Sequence, residues 1–183
     1  MNKLPKFKKR QWIYRGKKVS LSLDAFQWGK SKLSREVIHH PGAVVIIPSL
    51  QDGRILLIRQ YRYPSQKVLW ELPAGTLDVT KGKVEKARSC AARELQEEVG
   101  RRAGSLKRLC GFYLAPGTST EYMDIFLAEN LKPSSLPQDV DEVIEPQALE
   151  ISQILQMIES GKIEDAKTIA AILYYDNFER KKT

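Results

Sequence analysis

The sequence predicts a layered α/β or α+β domain made mostly of strands with a few interspersed helices. Three observations carry that expectation. GAVVIIP (Gly42–Pro48) and RILLIRQYRY (Arg54–Tyr63) are short apolar runs with the look of buried strands. A helical period runs from about Val84 to Val99 and meets a natural left-handed cap at Gly100. Two amphipathic segments, LEISQILQMIESG and AKTIAAILYYDNFERKK, read as terminal helices.

In chain order, residues 11–40 hold short alternating runs such as VSLSL (Val19–Leu23), which read as strands. "QDG" between the two apolar runs is a good hairpin turn. VLWELPAG (Val68–Gly75) is a strand with a Pro-Ala-Gly stop, and a loop follows through Gly82. After the central helix, LKRLCGFYLA and YMDIFLAENL are further strands, and KPSSLPQDVDEV is a polar loop. The organisation expected is a basic arm and N-terminal β region over 1–40, then one main domain over 41–183.

Composition narrows the class. No apolar run approaches the roughly 20 residues of a bilayer span, so no membrane partner is expected. No apolar core follows the basic N-terminus, so a secretory signal is not expected either. Cys90 and Cys110 lack metal-ligand spacing and read as free thiols of a cytoplasmic protein. The net charge of +8 belongs to residues 1–18, which hold eight Lys and Arg and no acid; 30 − 8 leaves 22 basic against 22 acidic residues. A solubilising tail is the plainer reading of that arm. Phe7, Trp12 and Tyr14 within it leave a nucleic-acid contact open.

"RELQEEVG" (Arg93–Gly100) carries the chemistry. On a helix, Val84, Ala87, Ala91 and Leu95 form one apolar stripe. Glu94 and Glu98 lie four apart at its border, whereas Glu97 turns toward Arg93 as an i,i+4 pair. Two carboxylates at 4 Å repel by about 4 kcal/mol at an effective dielectric near 20. One of them takes up a proton, a hard cation such as Mg²⁺, Mn²⁺ or Ca²⁺ sits between them, or water separates them on an exposed face. The helix alone leaves those alternatives open.

Its surroundings decide more. Glu85, Arg93, Glu94, Leu95, Glu97, Glu98 and Gly100 give E-x7-R-E-L-x-E-E-x-G, preceded by ELPAG (Glu71–Gly75). This resembles the box of the Nudix hydrolases, G-x5-E-x7-R-E-U-x-E-E-x-G-U with U aliphatic. Two departures stand out: Gly75 precedes Glu85 by ten positions where the family has six, and Arg101 occupies the closing aliphatic position. HHPGAVVIIP, IRQYRYP, LWELPAG, APGTSTEYMDIFLAENL and GKIEDAKTIAAIL resemble the ADP-ribose and nucleoside-diphosphate-sugar pyrophosphatase branch, as does Pro116, 16 residues after Gly100. The likeness covers about residues 30–175. It implies an α/β/α sandwich around a mixed sheet, beside a small N-terminal antiparallel β region.

The resemblance also implies roles. Glu94, Glu98 and the backbone carbonyl of Ala74 would bind the catalytic ion, Mg²⁺ with Mn²⁺ as the substitute, so Glu98 counts as catalytic too. Glu97 would assist or be held by Arg93, and Glu85 would anchor the loop to the helix. The general base would be Glu142, in PQDVDEVIE, with Asp139, Asp141 and Glu145 as neighbours. Arg62 would bind substrate, and Glu71 would contact the ribose or support the site; Arg59 reads as a surface residue. Trp28, Arg35 and Glu36 would reach the nucleobase from a region that helps form a homodimer; Trp28 would stack the base or else be a core residue. His39 and His40 read as structural. The reaction implied is cleavage of the pyrophosphate of ADP-ribose or a related nucleotide sugar. A Nudix hydrolase of RNA 5′ ends or nucleoside triphosphates, and a non-catalytic nucleotide- or RNA-binding module, are the alternatives.

Overall fold

A computed structural model describes residues 4–137 and 144–180. The chain separates into two compact units: residues 1–42 with 112–123, and residues 43–111 with 124–183.

The first unit is built on an antiparallel sheet of β1 (Lys6–Arg15), β2 (Ser20–Trp28) and β3 (Ser31–His39), in that order. The basic arm is therefore not a tail over most of its length, and this corrects the reading from charge. Its lysines mask a strand whose aromatics meet the neighbouring strands. Phe7 lies 5.8 Å from Phe26 and Trp12 lies 4.8 Å from His39, ring centre to ring centre. Lysines and register shifts along an edge strand also discourage pairing with other chains. His39 accepts or donates to Ser22 Oγ at 2.8 Å, and His40 lies 4.0 Å from Glu121, so both histidines have structural partners.

The buried Asp24 of β2 ties this sheet together. Arg10 reaches it through Nε and Nη2 at 2.9 and 2.7 Å, and Ser22 Oγ donates to it at 2.7 Å. The Arg10 guanidinium outweighs burial and holds the carboxyl at about 2. A carboxylate depressed by folding stabilises fully above its unfolded value near 4, and that stability fades as pH falls toward 2. Asp24→Asn is thus expected to cost about 1–3 kcal/mol at pH 7 and little at pH 2. Denaturant unfolding followed by tryptophan fluorescence at the two pH values checks this; equal losses at both would remove Asp24 from the role.

The second unit layers helices on sheets. β4 (Ala43–Pro48) lies between β12 (Tyr122–Glu129) and β7 (Ala74–Thr76), with β11 (Ser105–Tyr113) outside β12. β5 (Ile55–Arg62) lies between β14 (Ile144–Leu149) and β6 (Lys67–Glu71). Every residue of β4 is buried, so the strand must be covered on both faces. Val44 and Ile46 pack with Cys90, Ala91, Leu95 and Val99 of α1 (Ala87–Val99). Alternation turns Val45 and Ile47 the other way, and α3 (Ala166–Tyr174) also packs on β4. α2 (Ile151–Glu159) joins α3 and starts with a capping box of Glu150 and Gln153. The π-helical turn Tyr175–Glu179 extends α3. This is the α/β/α sandwich that the resemblance implies.

Three local expectations change. The "QDG" turn forms, with Gly53 N–H on Leu50 O at 3.0 Å, but β4 and β5 enter different sheets, and an isolated Ser49–Ile55 bridge closes the turn. Continuous apolar runs need cover on both faces, which a two-stranded hairpin does not provide. Pro73 ends β6, yet the chain resumes pairing at once as β7, with Ala74 opposite Val45. The central helix starts at Ala87 rather than Val84; Val84 is exposed in a small hairpin of β8 (Val79–Thr80) and β9 (Lys83–Val84). β10 (Arg101–Arg102) pairs with β13 (Lys132–Pro133), placing Arg101 in a strand directly after the Gly100 cap.

Candidate active site

The site is assembled where α1 crosses β7. Gly100, at φ 66° and ψ 31°, caps the helix by returning its N–H to Leu95 O. No acid stands in the first turn and no base in the last, while three glutamates crowd the C-terminal half. The macrodipole disfavours that arrangement, so helix stability did not place them.

The three glutamates are not equivalent. Glu94 and Glu98 are buried, at 8% and 2% exposure. Glu98 Oε2 accepts the Ala74 N–H at 2.9 Å, fastening α1 to β7. A methyl group on Gly75 would stand 1.8 Å from Glu94 Oε1, so only glycine lets that carboxylate lie against the strand. Glu97 takes Arg93 Nη1 at 2.7 Å, the i,i+4 pair read from the sequence. The same Nη1 reaches Glu94 Oε1 at 2.7 Å, and Nη2 reaches Glu85 Oε2 at 3.0 Å. Glu85 also takes the Asp78 N–H at 3.2 Å and gives its own N–H to Asp78 O at 2.8 Å. It therefore fastens the preceding hairpin to the helix through Arg93. Cys90 lies under this cluster, and burial pushes its thiol well up, so it is inert packing.

Beside the carboxylates sits a second charged group. Arg62 forms a fork with Glu71, Nε to Oε1 at 2.7 Å and Nη2 to Oε2 at 2.6 Å. Lys167 donates to Glu71 Oε2 and lies 3.0 Å from Asp165. Asp165 in turn caps α3 by accepting the Thr168 N–H at 3.0 Å, and Thr168 Oγ1 accepts the Leu72 N–H at 2.8 Å. The Glu71 bonds raise the Arg62 pKa further above its ordinary value, and the field of Glu98 adds to this. Glu71 is 1% exposed and acts as the support that orients Arg62.

Other candidates fall elsewhere. Glu142 lies outside the described residues, with Asp139 and Asp141. Glu145 is exposed in β14, 3.6 Å from Arg59, whose guanidinium stands 5.6 Å over the Trp70 ring. Trp28, half exposed at the end of β2, and Arg35 and Glu36 of β3 belong to the N-terminal unit. The Arg35 side chain donates to Ser34 O at 2.7 Å. Sequence reasoning missed Lys167, Asp165 and Thr168. The D-x-x-T spacing of a helix cap was the available signal.

A family model described as the NUDIX domain matches residues 39–172. The chain belongs to the Nudix family. Among relatives, an ADP-ribose pyrophosphatase of Bacillus subtilis is 34% identical, over 90% of this chain and 89% of its own. A methanol dehydrogenase activator of Bacillus methanolicus is 34% identical, over 91% and 89%. A GDP-mannose pyrophosphatase of Yersinia enterocolitica is 34% identical, over 73% and 72%. A crystal structure of an ADP compounds hydrolase superposes with a TM-score of 0.85 at 22% identity, covering 100% of this chain and 97% of the other, and so shares the fold.

The Nudix chain is a pyrophosphohydrolase, and Nudix pyrophosphatases need a divalent metal. Among the described residues, no three His, Cys, Asp or Glu side chains form a ready-made metal cluster. The donors that do converge fit a hard cation nonetheless. Two buried carboxylates one turn apart lie against the backbone of β7, and phosphate oxygens of a substrate and water complete such sites. Among the described residues, no helix is long and apolar enough to cross a membrane.

Proposed function

We propose that this protein hydrolyses the pyrophosphate bond of ADP-ribose or a related nucleoside diphosphate sugar, releasing a nucleoside monophosphate and a sugar phosphate. One observation carries the reading: Glu94 and Glu98 are buried one helical turn apart, with Glu98 Oε2 on the β7 backbone, which supports taking the two as metal ligands. The names of the relatives support the substrate class.

In this reading Glu94, Glu98 and the Ala74 carbonyl hold Mg²⁺, for which Mn²⁺ substitutes. When bound, the ion neutralises phosphate charge and lowers the pKa of water. The residues supply the rest. Arg62, held rigid by Glu71, presents its guanidinium to a phosphate. Arg93 keeps Glu97 and Glu85 fixed so that the helix face does not rearrange. Glu142 removes the proton of the attacking water. Trp28 stacks the nucleobase, and Arg35 and Glu36, from the same N-terminal sheet, contribute further contacts to the substrate. The N-terminal region forms a homodimer, in the cytoplasm; the exposed side chains of Phe7, Ile13 and Tyr14 support contact through the faces of β1 rather than through its lysine-guarded edge.

Incubation with Mg²⁺ and a panel of ADP-ribose, GDP-mannose, dinucleotides, triphosphates and 5′-triphosphate RNA tests this. AMP with ribose 5-phosphate is the expected product pair. Turnover of RNA or triphosphates alone would replace the reading. Glu142→Gln is expected to lower turnover at least about tenfold with metal binding retained. Undiminished turnover takes Glu142 out of the mechanism.

A further inference from the structure

The family motif spaces glycine and glutamate six positions apart, and here Gly75 and Glu85 are ten apart. The additional residues are not a slack loop. β8 and β9 pair Val79 with Val84 and Thr80 with Lys83. Lys81 and Gly82 turn between them at φ 51° and 76°, two successive positive values, as a tight type I′ hairpin requires. Glycine adopts that backbone freely, whereas lysine does so at a cost. Such a cost at an exposed position points to a use for the side chain.

The hairpin borders an open surface depression of about 520 Å³ lined by Asp78, Thr80, Lys81, Lys83, Val84 and Glu85, all but Glu85 exposed. That volume is within the range of small-molecule sites. Two carboxylates, two ammonium groups and a hydroxyl surround one exposed valine. Carbohydrates call for that mixture: acceptors and donors for vicinal hydroxyls, and an apolar patch for the C–H face. The two lysines add charge suited to a phosphorylated sugar. The depression is also tied to the catalytic helix. Glu85 forms its wall, and the Arg93 guanidinium that holds Glu85 at 3.0 Å holds Glu94 at 2.7 Å. One rigid bridge thus links the hairpin to the carboxylate that faces the pyrophosphate.

We propose that the β8–β9 hairpin is the subsite for the distal sugar phosphate, the half of a nucleoside diphosphate sugar that leaves without the base. This rests on the pyrophosphatase reading above. Specificity for the leaving sugar then resides in Lys81, Lys83 and Asp78, apart from whatever recognises the nucleobase.

The test compares two substrates of one chemistry, ADP-ribose and the β-methyl ester of ADP, which keeps the pyrophosphate and lacks the distal sugar. Their kcat/KM ratio is measured for the wild type, for Lys81→Ala/Lys83→Ala, and for a chain shortened by residues 80–83. A ratio cancels any loss of folded protein. The expected result is a ratio at least tenfold lower in both variants, arising mainly in KM for ADP-ribose. An unchanged ratio alongside normal wild-type turnover overturns the subsite alone. A wild type that cleaves no diphosphate sugar overturns the subsite and the pyrophosphatase reading together.

Discussion

Glu98→Gln is expected to lower turnover by about a thousandfold, some 4 kcal/mol of transition-state stabilisation, without unfolding the protein. The two halves of that statement have separate causes. Glu98 is buried and its Oε2 accepts the Ala74 N–H. A glutamine oxygen accepts the same bond, so the joint between α1 and β7 survives. What disappears is a negative charge beside Glu94, and with it half of the side-chain charge available to a cation. With that joint kept, the unfolding midpoint of the metal-free protein should hold. Glu97→Gln provides the contrast. Its partner is Arg93, which keeps Glu94 and Glu85 as further anchors, so a loss of tenfold or less is expected. Turnover, calorimetric metal titration and thermal unfolding of both variants separate these effects. Equal damage from the two substitutions would contradict the division of labour on this helix.

That division is legible in the sequence because it depends on spacing. Glu94 and Glu98 share a helical face by arithmetic, Glu97 and Arg93 pair by the same arithmetic, and Gly100 ends the period. The start of the helix was less visible. Val84 fits the apolar stripe, but it sits in β9 and is exposed, and a helical wheel cannot see the hairpin that captures it. β14 escaped notice because Pro146 and Glu145 break its alternation, which an edge strand tolerates. Lysines hid β1 in the same way. Lys167 shows the deeper limit. A lysine on an amphipathic helix reads as solvated face, and only tertiary packing brings it under Glu71. Pairwise spacing within an element can be read from the chain, but the partners brought together by two distant elements cannot.

Lys167→Met should therefore cost about 3–5 kcal/mol of stability, although it removes no residue from α1. Arg62 and Lys167 balance Glu71 and Asp165, with Glu71 at 1% exposure. Burial alone would push the Glu71 carboxyl up; the Arg62 bonds and the Lys167 charge overcome it and hold it below its ordinary value. A carboxylate so depressed stabilises the fold above its unfolded value, near 4.3, and that stability is lost as pH falls through the lower folded value. Without Lys167 the Glu71 carboxyl rises, and acid unfolding should begin at higher pH than in the wild type. Removing Glu71 as well leaves Arg62 and Asp165, one charge of each sign. Lys167→Met/Glu71→Gln is accordingly expected to recover part of the stability lost by the single variant. It should not recover function, because Arg62 loses the fork that orients it and KM should stay raised. Denaturant titrations at pH 7 and pH 4, with steady-state kinetics of the single and double variants, decide the matter. Matching stability losses in the two would show that charge balance is not what Lys167 provides.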